Sequence, residues 1–75
     1  MKAILYNNRT AIGETANNRF AVYQAMIAYP QITSGEVYDT ETNWTMTINR
    51  KDTPKRYLNP KNWTNTQLHY EIKMY

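Results

Sequence analysis

Apolar and polar residues alternate most cleanly in two places along the chain. Trp44, Met46 and Ile48 alternate with Thr45, Thr47 and Asn49. That period of two predicts a strand with one apolar face. Leu68, Tyr70, Ile72 and Met74 alternate in the same way with His69, Glu71, Lys73 and Tyr75, predicting a closing strand. Residues 2–7 read as a further strand, apolar on both sides through Ala3, Ile4, Leu5 and Tyr6, as in a covered central strand. Residues 8–14, with Gly13, read as a loop. Gly35 opens an extended segment over 36–41, and the polar run Asp39 to Asn43 suits a hairpin connection into the Trp44 strand.

Only residues 15–29 show a helical period. Ala16, Phe20, Tyr23 and Ile27 fall on one stripe, with Val22 and Met26 widening it, while Arg19 and Gln24 point to water. Thr15 or Asn17 can cap the start. Pro30 stops the helix, because it disfavours helical geometry at Tyr29 and has no N–H. The predicted order is β-α-β-β-β. It implies one α+β domain over 1–75: a four-stranded, mainly antiparallel sheet with one helix on one face. The opposite sheet face is left partly open.

From Arg50 to Thr66 the periodicity breaks, and Pro54 and Pro60 lie among Lys, Arg, Asn and Thr. A connection this long in a small domain is commonly functional or disordered. Residues 50–63 hold five of the nine basic residues and one of the six acids, so the net charge of +3 is concentrated there. Arg50, Lys51, Lys55, Arg56, Tyr57, Lys61 and Trp63 are the candidate partner-binding residues. Cations interleaved with aromatic rings suit single-stranded nucleic acid, through phosphates and stacked bases. The same residue types anchor and steer protein interfaces. Tyr57 and Trp63 could equally be tucked into the core, and the charges could be a solvated surface.

Seven Tyr, two Trp and one Phe exceed what a 75-residue core can bury, so some tyrosines must face outward, where they give contact area at low entropic cost. Glu36, Asp39 and Glu41 add an acidic patch. Such a two-signed surface fits a protein partner better than naked nucleic acid.

The chemistry of the remaining residues narrows the field. The chain lacks cysteine, which removes disulfides, thiolate metal sites and thiol catalysis, and fits a reducing cytoplasm. One serine, Ser34, read as a turn residue, and one histidine, His69, read as a solvent-facing strand residue, make a catalytic triad remote. Two glycines cannot build a nucleotide-binding loop, and Glu36 and Asp39 point to opposite sides of a strand. No cofactor or metal is expected. No apolar run approaches the roughly 20 residues that span a bilayer, so no membrane contact is expected. His69, Tyr70, Lys73, Tyr75 and Arg50 supply the residue types of a metal-independent ribonuclease, the third-ranked reading after protein binding and nucleic-acid binding.

Gly35-Glu36-Val37, Glu41-Thr42, Trp44, Arg50-Lys51-Asp52 and Lys55-Arg56, with the opening Met1-Lys2-Ala3 and a helix ending before Gly35, resemble in order and spacing a family of small phage-encoded anti-CRISPR proteins. The resemblance spans about half the chain. It implies a non-enzymatic inhibitor that binds a host defence complex, protein or protein–nucleic acid, in the host cytoplasm. A monomer and a homodimer paired through sheet edges both fit.

Overall fold

In the computed structural model, which describes residues 1–75, Lys2–Asn7 (β1) pairs antiparallel with Thr10–Ala16 (β2) through the two-residue connection Asn8-Arg9. Asn8 sits at φ 58°, the left-handed region that asparagine tolerates and that tight hairpins use. The expected loop over 8–14 is therefore a hairpin turn and a strand. Its pattern hid for two reasons. A bulge opposite Leu5 and Tyr6 shifts the register past Ile12, and Gly13 removes a side chain from the alternation. Gly13 also lets another strand approach, because a Cβ there would lie 2.5 Å from the Lys73 carbonyl oxygen.

The helix, Arg19–Ala28 (α1), starts four residues later than predicted, since Thr15 and Ala16 belong to β2. Asn18 is the cap, its Oδ1 accepting from the Ala21 N–H at 2.9 Å. Asn17 does different work. Its side-chain amide donates to the Tyr38 carbonyl at 2.7 Å and accepts from the Tyr38 N–H at 2.8 Å. Thr15 is buried, its hydroxyl donating to the Glu71 carbonyl at 2.9 Å.

Ser34–Asp39 (β3), Trp44–Asn49 (β4) and Ile72–Met74 (β5) complete the sheet. The spatial order is β4-β3-β1-β2-β5, and every neighbouring pair is antiparallel. The fold is α+β with one helix, as expected, but the sheet has five strands rather than four, in the order β-β-α-β-β-β. Ser34 begins β3, opposite Tyr6 and Asn49, and is not a turn residue. The β3–β4 connection is the predicted hairpin. The Asp39 carboxylate accepts from the Glu41 and Thr42 N–H groups, which holds its pKa below the usual value, and Asn43 sits at φ 58°.

Ala3 and Leu5 of β1, Val37 of β3 and Ile48 of β4 pack against Val22, Ala25 and Met26 of α1, with Ile32 closing the core. The helix sits close over β3 because position 35 is glycine; a Cβ there would strike Val22 Cγ1. The helix residues packed into the core with the sheet are Val22, Ala25 and Met26, not the Phe20–Tyr23–Ile27 stripe, and Ala21 and Gln24 are buried as well. Small alanines permit the close approach, and Phe20 and Tyr23 turn toward the segment after β4. Gln24 is buried rather than water-facing, and its Nε2 has no hydrogen-bond partner.

Edge position changes the fate of the two clearest strand patterns. Trp44, Met46 and Ile48 do share one side of β4. Only Ile48 is buried, because α1 covers the inner strands and leaves the outermost one overhanging. The last strand shortens to Ile72–Met74, with residues 65–68 in a turn and Leu68 39% exposed.

Candidate functional site

The segment after β4 is ordered into three short 3₁₀ turns, Arg50–Asp52, Lys55–Leu58 and Pro60–Asn62. Its prolines and asparagines supply the local reasons. The Pro54 carbonyl accepts from the Tyr57 N–H at 2.9 Å, and the Pro60 carbonyl accepts from the Trp63 N–H at 3.2 Å. Asn59 Oδ1 accepts from the Lys61 N–H at 3.1 Å, and Asn62 Nδ2 donates to the Arg56 carbonyl at 2.9 Å. Trp63 is drawn back onto the second turn, its Nε1 donating to the Tyr57 carbonyl at 3.1 Å.

These turns press an aromatic cluster against the outer side of α1. Tyr57 stacks on Tyr23, with ring centroids 5.1 Å apart and planes 4° from parallel. Trp63 meets Phe20 edge to face at 5.6 Å. The Arg56 guanidinium lies 4.9 Å from the Tyr57 ring centroid and donates to its hydroxyl at 3.2 Å. Phe20, Arg56, Tyr57, Asn62, Trp63 and Gln67 enclose an open cleft of about 360 Å³. The cleft offers an apolar floor, a tethered cation at its rim and amide groups on its flank. Lys51, Lys55 and Lys61 are exposed along the same segment.

The candidate residues divide by position. Arg56, Tyr57 and Trp63 come together at the cleft. Lys55 and Lys61 lie beside it on the turns that carry it. Lys51 lines a separate polar hollow with Asn8, Arg9, Thr33, Ser34, Asn49 and Arg50. Arg50 has an internal task. Its guanidinium donates to the Ile32 carbonyl at 2.7 Å, to Tyr29 at 3.2 Å and to Met26. Those carbonyls belong to the end of α1 and the residues after it, where partial negative charge gathers. Burial lowers the Arg50 pKa from its ordinary value. Phe20, Asn62 and Gln67 were not anticipated. The signal for Phe20 is that α1 carries two apolar faces: Phe20 and Tyr23 on one, Val22 and Met26 on the other.

The open face of the sheet has a different character. Glu14 and Glu36 lie opposite Ile4 on either side of the central strand. The Tyr75 hydroxyl donates to Glu14 at 2.8 Å, and that bond raises the Tyr75 pKa above 10.0. Glu36, as acceptor and as a negative charge, raises Tyr38 likewise. His69 borders a shallow hollow lined otherwise by Asn65, Thr66 and Leu68, none of them an acid or base. No helix is long and apolar enough to cross a membrane.

Fold and site together define a small antiparallel α+β protein bearing a cation-rimmed aromatic cleft. Comparison with protein families, curated proteins and solved structures yields no match to this chain.

Proposed function

We propose that this protein is a non-enzymatic binding module that covers an acidic surface on a host macromolecular complex, using the cleft as its anchor point. The observation that carries this reading is the Phe20–Tyr57–Trp63 cleft with Arg56 held at its rim. Aromatic anchors around a small hollow, with arginine beside them, are the elements on which protein interfaces concentrate their binding energy. Lys51, Lys55 and Lys61 would steer an acidic partner toward it. The segment order that resembles anti-CRISPR proteins makes a host defence complex the partner we favour.

Two features weigh against single-stranded nucleic acid as the primary ligand. The Tyr57 ring is already engaged, stacked on Tyr23 and approached by the Arg56 guanidinium, which leaves it less surface for a base. The exposed sheet, the other stacking platform, carries Glu14 and Glu36 beside its central strand.

The test is affinity capture from a host lysate, with and without nuclease, comparing the natural chain with a Lys51, Lys55, Arg56 and Lys61→Ala variant. Arg50 is retained because it holds the fold. The expected result is nuclease-resistant capture of one protein complex, reduced at least about tenfold in a variant that melts normally. Unchanged capture by the variant refutes the site. Loss of capture on nuclease treatment, with binding to an oligonucleotide falling log-linearly with salt, replaces the protein partner by nucleic acid.

A further inference from the structure

Strand β4 is an outer edge without the usual protection. Its six residues, Trp44 to Asn49, include no charge and no proline, and edge strands normally carry such features to prevent pairing with another chain. The opposite edge, β5, has three residues with Lys73 at its centre. Trp44 is 75% exposed and Met46 36% exposed, both on the helix side of the sheet.

The register shows which backbone groups are free. Ser34 lies opposite Asn49, and the Arg50 N–H donates to the Thr33 carbonyl at 2.8 Å. In an antiparallel ladder this makes Ser34/Asn49 a non-hydrogen-bonded pair, so Trp44, Met46 and Ile48 exchange their bonds with β3. The amides and carbonyls of Thr45, Thr47 and Asn49 then point away from the sheet. The Asn49 carbonyl is taken by the Thr53 hydroxyl at 2.8 Å, which closes that end of the edge. Thr45 and Thr47 remain open.

We infer that β4 pairs antiparallel with β4 of a second copy about a two-fold axis at Met46, joining two five-stranded sheets into one. Keeping both helices on the same side requires even-numbered residues to face even-numbered ones. Centring on the open threonines sets Met46 opposite Met46, Trp44 opposite Ile48, and Thr45 opposite Thr47 of the partner copy. Thr45 and Thr47 are the residues whose backbone groups face outward, so the pairing closes four hydrogen bonds. Cross-strand threonine pairs are favourable, and each exposed Trp44 gains an apolar neighbour.

Charge selects a second copy of this chain as the occupant. The acidic hairpin, Asp39 and Glu41, precedes β4, and Arg50 and Lys51 follow it. Antiparallel pairing sets the acidic hairpin end of one β4, with Glu41, at the same end of the seam as the basic exit of the other, with Lys51, twice. Parallel pairing would set like charges together. The two aromatic clefts then lie on the same side of the joined sheet.

Sedimentation across a concentration series tests this directly. The expected result is a monomer of 8.9 kDa at low concentration converting to a species of twice that mass. Thr47→Pro removes one of the pairing N–H groups and should abolish the dimer. Since proline could disturb the fold, charge reversal provides the second readout. Glu41→Lys and Lys51→Glu should each weaken association about tenfold, and the double exchange should restore it. Hydrogen exchange at Thr45 and Thr47 should slow as the dimer forms. A chain monomeric at millimolar concentration overturns the inference. So does a dimer indifferent to both reversals and to Thr47→Pro.

Discussion

Replacing Arg50 by alanine separates holding the fold from holding a partner, which sequence reasoning could not distinguish for this residue. The guanidinium bonds three carbonyls, of Met26, Tyr29 and Ile32, spread over the end of α1 and its exit. A hydrogen bond to a charged group contributes about 1.5–3 kcal/mol net, and a buried acceptor left alone costs about 1–3 kcal/mol. Arg50 is only half-buried, so water can replace part of the set. We therefore expect Arg50→Ala to cost about 2–4 kcal/mol rather than three full bonds. A chain of this length is stable by about 4–11 kcal/mol in all, so the loss is a large share. Urea denaturation should show a lower midpoint at unchanged slope, and thermal melting a fall of about 10–25 °C. Arg50→Lys should recover only part of this, since one ammonium cannot reproduce the planar fork. A loss below about 0.5 kcal/mol, or weakened partner binding at full stability, would refute the reasoning.

Two further outcomes follow from other contacts. Gly35→Ala forces a Cβ into Val22 and should destabilise by about 1–3 kcal/mol; combined with Val22→Ala the two losses should sum to less than their separate values in a double-mutant cycle. At alkaline pH, Tyr75 has a folded pKa above its unfolded value of 10.0 because of Glu14, so its stabilisation is present below that value and is lost as pH rises through the folded pKa. Phenolate absorbance should place two tyrosines, Tyr38 and Tyr75, titrating late in the natural chain and only Tyr38 in Glu14→Gln, whose stability should decline less steeply above pH 10.

By itself the sequence was enough for what rests on short-range order. The helix is announced by its period and its stop at Pro30, and the β3–β4 hairpin by polar residues between two runs of β-formers. The single α+β layer follows from their succession. The basic-aromatic segment was legible because its charge is contiguous in the chain. Strand β2 was not, because a bulge and Gly13 break the period of two. Which apolar face of α1 meets the sheet depended on Gly35, whose missing side chain admits Val22 from a distant element. Arg50 looked like one more surface cation until folding brought carbonyls 18 to 24 residues away within its reach. Periodicity reports what one element offers. Strand order, edges and the partners of a long side chain depend on contacts between elements, and only the tertiary structure could decide them.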